Sequence, residues 1–325
     1  MSETLFLATR TGFVWAEAHG SGWQVAGHSL DGKGITSVIA REGVILAGTK
    51  EGVWRSEDRG RTWTHTSQGL TQPYVRWLAY HPALSDREFV GTEPAGLFHS
   101  RDGGDTWQGV PKVEELRDQF RWFLPYSSGA GCVRGFAFHG QRAYAAVEVG
   151  GLLRSDDGGE TWALAEGSHG RPVFGRPPQG FVHPDVHSVA VHPSSPDLVW
   201  AATGGGLYQS EDGGATWNFI YDCYVRALWL DPANPDHVLI GPAEDVGRRG
   251  RILESWHRGR TWQPADTGLN TPWPHNMVER FYQAGDTLLA VLDQGELLAS
   301  PIGQWQWQAI LPDVPGVNAV TTLSL

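Results

Sequence analysis

Cysteine is scarce: the 325 residues contain two, Cys132 and Cys223, too few for a disulfide framework, so a reducing compartment is the simpler setting. No apolar run is long enough to span a membrane. The N-terminus, Met1-Ser2-Glu3-Thr4-Leu5-Phe6-Leu7, lacks the basic region and apolar stretch of a secretory signal, and the expected location is cytoplasmic. Basic residues are also in deficit. Twenty-five Lys and Arg face 36 Asp and Glu, for a net charge of -11, which excludes a general nucleic-acid binder with its basic face. What remains is a soluble chain, expected to be monomeric, with no membrane partner.

Tryptophan and glycine are abundant instead, at 16 and 42 residues, a composition that fits many short strands joined by tight turns. The tryptophans recur in a pattern. Ser155-Asp156-Asp157-Gly158-Gly159-Glu160-Thr161-Trp162 repeats as S-x-D-x-G-x-T-W at residues 56–63, 100–107 and 210–217. A further copy, 255–262, has His257 in place of the aspartate, and worn copies end at Trp23 and Trp307. Their spacing averages about 47 residues, which fits a four-stranded propeller blade. In each octet the Ser and Asp side chains can bond back to nearby backbone N–H groups. The glycines supply the positive φ of a tight hairpin, and Thr-Trp opens the next strand. A Trp repeated at one turn position is expected to pack between neighbouring units.

A second phrase opens each unit and reads as its innermost strand. It begins at Ile35, Val75, Val133, Val186, Val225, Val278 and Val317. The last stands alone at the C-terminus, while residues 4–25 carry three strands without it. The expected fold is therefore an all-β, seven-bladed β-propeller of four-stranded antiparallel blades, closed by pairing the C-terminal strand with the N-terminal blade. One domain covers 1–325. Two long crossings, at about 111–131 and 166–185, are expected to elaborate one face, the first with a short helix over Lys112–Phe120 and the second as a proline-stiffened lid. His81-Pro82 and His192-Pro193 read as turns.

The residue after each opening Val or Ile is polar: Thr36, Arg76, Arg134, His187, Arg226, Glu279 and Asn318. Such a ring would line the mouth of the central channel, joined by Glu93, Glu148, Lys50, Arg10 and Asp293 from the second strands. Two readings follow. Arg76, Arg134 and Arg226 present guanidinium forks to a small anionic ligand, or they pair with the nearby glutamates. Tyr74 and Tyr224, with Trp122 from a long crossing, add aromatic surface suited to a sugar or acidic ligand. His187 or His183 is a candidate general base, and Glu148 or Glu279 a candidate acid. His183, Asp222 and His275 stand three residues before successive opening phrases and offer donors for a divalent metal, if ring-related positions converge. No other cofactor is implied. Cys132 reads as a small buried residue.

The octet is the Asp-box, or BNR, motif, and nearly the whole chain resembles the Asp-box β-propellers, which include sialidases, sortilin-type receptors and photosystem II assembly factors. Resemblance to the sialidases implies a hydrolase in which Arg76, Arg134 and Arg226 bind the substrate carboxylate and Tyr224 is the nucleophile. The N-terminal Phe/Tyr-Arg-Ile-Pro phrase of those enzymes is absent, and the count is seven blades where theirs is six. Resemblance to the assembly factors implies instead a non-catalytic scaffold that offers an arginine patch to a protein partner.

Overall fold

The computed structural model describes residues 4–20, 22–172 and 175–323. These form seven four-stranded antiparallel sheets. Numbered around the ring, their innermost strands are Val317–Thr322 (blade 1), Ile35–Arg41 (blade 2), Val75–Tyr80 (blade 3), Cys132–His139 (blade 4), Val186–Val191 (blade 5), Tyr224–Leu230 (blade 6) and Val278–Ala284 (blade 7). Each packs on the next, and blade 7 returns to blade 1. Blade 1 is built from both ends of the chain: Val317–Thr322 pairs antiparallel with Thr4–Thr9. No open edge remains between first and last blade, as the opening phrases predict.

The octets are hairpins between the third and fourth strands. Ser56 Oγ accepts from the Gly60 N–H at 2.8 Å, and Asp58 accepts from the Thr62 N–H at 2.9 Å and its hydroxyl at 2.6 Å. The Thr62 hydroxyl, and then its N–H, hold the Asp58 carboxyl down to about 2. The octets at 100–107, 155–162 and 210–217 repeat this wiring. In the variant copy the Gly259 N–H still donates to Ser255 Oγ at 2.8 Å and His257 reaches Thr261 Oγ1 at 3.0 Å, which keeps two bonds of the set. Gly159 has φ 89°, and a Cβ there would stand 2.4 Å from the Phe89 ring of blade 3. Glycine is therefore needed both for the turn and for blade-to-blade approach.

Each octet Trp seals one blade against its neighbour. Trp107 donates to the Thr66 carbonyl at 2.8 Å and Trp307 to the Ala265 carbonyl at 2.7 Å, each in the preceding unit. Second strands such as Val199–Thr203 are buried along their whole length, because a sheet sandwiched between two others has no solvated face. His81 and His192 accept turn N–H groups on Nδ1, as expected of turn formers.

The first long crossing forms the helix Pro111–Phe120, with proline at its first turn and Val113 and Leu116 buried. It packs with Trp122 and Trp162. The second crossing, 166–185, carries no helix or strand among its described residues, which exclude 173 and 174. No helix among the described residues is long and apolar enough to cross a membrane.

All seven innermost strands slip register at one place. The residues passed over are Thr36, Arg76, Arg134, His187, Arg226, Glu279 and Asn318. The polar ring is thus a ring of β-bulges, in which one extra residue per strand is re-aimed off the pleat. The short side chains staple the ring. Asn318 donates to the Ile35 carbonyl, Thr36 to that of Val75, and His187 Nδ1 to that of Val225, each in the next blade. The long charged ones reach the axis.

Replacing Asp58 with Ala should cost about 1 kcal/mol, the usual effect of losing a side-chain cap on backbone N–H groups, read as a lower urea midpoint. Because the folded carboxyl is depressed, this contribution is complete above the ordinary aspartate value of about 3.9 and fades as pH falls towards about 2. An unchanged midpoint would show that the octets do not hold the hairpins.

Candidate functional site

The bulged charges meet at the floor of a funnel of about 880 Å³ on the axis, within the size range of small-molecule sites. Arg134, buried, donates from Nη1 to Glu148 Oε2 at 2.7 Å and from Nη2 to Glu279 Oε1 at 2.5 Å. Glu279 Oε2 accepts from Arg226 Nη1 at 2.7 Å. Blades 4 and 7 lie across the ring from each other, so the Arg134–Glu279 pair bridges the channel. Arg76 is bound to Glu93 at 2.9 Å and to the Tyr74 hydroxyl at 3.0 Å. The two sequence readings of the arginines are combined: they pair with glutamates, and they also line the mouth.

Pairing fixes the charge of the glutamates. Burial would raise the Glu279 carboxyl, but Arg226 and then Arg134 hold it far below the usual carboxylate range. Burial likewise opposes ionisation of Glu148, and Arg134, His187 and the Tyr126 hydroxyl overcome it. Both are fixed anions, which corrects their reading as proton donors, since an acid must hold its proton near working pH. Tyr224 is pushed well above the ordinary phenol value by burial, against the pull of Arg226. Its hydroxyl accepts from Arg226 Nε at 2.9 Å. That is the state of a hydrogen-bonded phenol and not of an activated nucleophile.

Other expectations need correction. His187 is 1% exposed and does not line the funnel. Its Nδ1 is spent on Val225, and its Nε2 faces Asp185 Oδ2 at 3.2 Å, so it reaches no ligand in the funnel. Trp122 is buried under the first crossing with its N–H on the Gly170 carbonyl. Glu93 is buried beneath Arg76 and Ser127 rather than open to a ligand. His183, Asp222 and His275 do not assemble. His183 is buried beside a side cavity, Asp222 is exposed and paired with Arg176 at 3.2 Å, and His275 is exposed. Equivalent ring positions on different blades do not converge on one point. The three candidate ligand groups that do come within 4.8 Å of one another among the described residues are Glu148, Asp185 and His187. Within that set Arg134 already holds Glu148 at 2.7 Å, and His187 Nε2 lies 3.2 Å from Asp185 Oδ2.

Cys132 is fully buried, with burial pushing its thiol up, as a small packed residue should be. Three contributors escaped the sequence. Tyr126 is exposed at the rim and donates to Glu148 Oε1 at 2.7 Å; nothing in its loop sets it apart from Phe123. Asp185 directly precedes Val186, at the ring position of Tyr74 and Tyr224, and is the charged member there. Arg280 stands two places after Val278, where the other blades carry Ser37, Trp77, Gly135, Ser188, Ala227 and Ala319. Both anomalies were readable.

Charge decides what the funnel attracts. Arg10, Lys50, Arg76, Arg134, Arg226 and Arg280 line it against four carboxylates, Glu148, Asp185, Glu279 and Asp293. Adding Glu93 behind Arg76 still leaves an excess of one positive charge, in a chain of net charge -11. A concave site with low-dielectric walls focuses that excess.

Fold and site together define a seven-bladed β-propeller with a charged axial funnel. No family model matches the chain. A xyloglucanase of Hypocrea jecorina (strain QM6a) is 25% identical over 185 residues, covering 53% of this chain and 21% of that protein. Among solved structures, the GH74 xyloglucanase from Xanthomonas campestris superposes with a TM-score of 0.63 at 18% identity, covering 86% of this chain and 45% of that one. YCF48 from Cyanidioschyzon merolae gives 0.59 at 14% identity, covering 92% and 95%. The chain thus spans about a fifth of the curated xyloglucanase and under half of the solved one. At these identities the structural likeness establishes the fold alone.

Replacing Glu279 with Gln should destabilise the protein by roughly 3 kcal/mol, because it leaves Arg134 and Arg226 partly uncompensated in a buried setting. The depressed carboxyls of Glu148 and Glu279 contribute stability above the ordinary glutamate value of about 4.3 that is lost as pH falls below it. The wild type should therefore lose more melting temperature than Glu279→Gln between pH 6 and roughly pH 3. Parallel pH profiles would refute the role of the pair.

Proposed function

We propose that the protein is an anion-binding propeller whose funnel takes a small carboxylate-bearing ligand of saccharide size, such as a sugar acid. The observation that carries this reading is the surplus of arginine and lysine around a cavity of about 880 Å³ in a chain that is acidic overall. Tyr74, Tyr126 and Tyr224 line the same cavity and supply flat amphipathic faces of the kind that stack on sugars. The sequence similarity to a xyloglucanase over part of the chain supports a carbohydrate.

Calorimetry with glucuronate and glucose tests this. Glucuronate should bind and glucose should not, with affinity falling as salt rises. Arg76→Gln should weaken glucuronate at least tenfold, about 1.4 kcal/mol. Lys50→Ala, at an exposed rim position free of the buried network, should weaken it by a smaller factor. Equal binding of the two sugars would overturn the reading.

One observation favours a hydrolytic extension. Two funnel carboxylates are driven apart: burial, with Glu279 nearby, raises Asp293, whereas His187 holds Asp185 down against burial. Such divergence is of the kind an acid and its anionic partner require, and both side chains line the same funnel. If the funnel hydrolyses 4-nitrophenyl glucuronide, Asp293→Asn should slow turnover by on the order of 10²-fold while glucuronate still binds. A wild type without turnover would leave a binding protein.

A further inference from the structure

The channel does not end at the funnel floor. Arg280, from blade 7, lies across the axis: its guanidinium sits 3.5 Å from the Trp77 ring centroid of blade 3, and Nη2 donates to the Arg134 carbonyl of blade 4 at 3.1 Å. It lines the funnel above and also a chamber of about 170 Å³ below. Val38, Ile39, Trp77, Leu228, Phe281 and Val320 give that lower chamber a largely apolar wall.

Arg280 differs from the other axial arginines. Arg76, Arg134 and Arg226 each hold a carboxylate within 2.9 Å, whereas Arg280 makes no ion pair among the described residues. Its neighbour Glu279 has both oxygens taken by Arg134 and Arg226. Burial, and then the charge of Arg134, pull the Arg280 guanidinium down to about 9. A cation in a desolvated setting with no counter-ion is costly, and cation–π contact with Trp77 offsets only part of that cost.

We propose that the lower chamber is a separate site for a small aryl or short-alkyl carboxylate, with its carboxylate on Arg280 and its apolar part against Ile39, Leu228 and Phe281. Size sets the ligand class. An apolar cavity of about 150 Å³ holds one benzene ring, so the chamber takes a benzoate-sized molecule and not a saccharide. Arginine supplies two parallel donors for a carboxylate, and the wall supplies the hydrophobic contribution that acetate lacks. The inference rests on the reading of the funnel as anion-binding, because the two chambers share Arg226 and Arg280.

Calorimetry on the full chain with benzoate, acetate, benzyl alcohol and glucuronate separates the two. Benzoate should bind at least roughly tenfold tighter than acetate, and benzyl alcohol should fail for want of charge. Ile39→Trp, or Leu228→Phe if that variant does not fold, should fill the chamber and remove benzoate binding while leaving glucuronate in the funnel within about twofold. Arg280→Gln should weaken benzoate at least tenfold, about 1.4 kcal/mol. Benzoate binding no better than acetate, or unaffected by the filling variants, with glucuronate still bound, overturns the lower site and spares the funnel. Failure of both glucuronate and benzoate overturns both.

Discussion

The structure depends on one carboxylate held between two guanidinium groups from different blades. Glu279 of blade 7 takes Arg134 from across the ring and Arg226 from next door, at 2.5 and 2.7 Å. A seven-bladed ring leaves an axial hole that no innermost strand fills by itself. Apolar side chains line the lower part, and the upper part is bridged by charge. A buried ion pair adds little net stability over an apolar filling, yet losing one partner is severe, because the other charge is left desolvated. The network therefore selects one geometry for the axis more than it adds to overall stability.

This bridge ties the charged groups of the funnel floor to one another. Glu148 and Glu279 are fixed anions, Tyr224 a fixed phenol, and His187 a strut between blades 5 and 6. Asp185, Asp293 and Arg280 line the same funnel without a Lys or Arg partner for the aspartates or a carboxylate partner for Arg280 among the described residues. Asp185 Oδ1 is buried with no hydrogen-bond partner among the described residues, so this carboxylate keeps acceptor capacity that the floor glutamates have spent.

Legibility followed periodicity. The octets and opening phrases are local patterns whose repetition reports blade count, strand order and closure, because each blade is one supersecondary unit stacked on its neighbours. The bulged ring was legible as well: seven polar residues at one register in apolar strands stand out on inspection. Their fates were not. Thr36, His187 and Asn318 are short enough to reach the next blade's carbonyl, whereas Arg and Glu extend to the axis, a difference that only inter-blade distance reveals. His183, Asp222 and His275 failed as a set because sharing a ring position does not mean sharing a point in space. Trp122 failed because the helix Pro111–Phe120 covers it.

The sequence by itself determined a closed seven-bladed ring and the identity of the residues at its mouth, since both depend on repeats and hydrogen bonds within a blade. Tertiary structure alone decided which charges neutralise one another and where a guanidinium with no ion pair among the described residues lies. The physical reason is that Coulombic partners such as Arg134 and Glu279 are 145 positions apart in the chain and meet across an axis that no local pattern encodes.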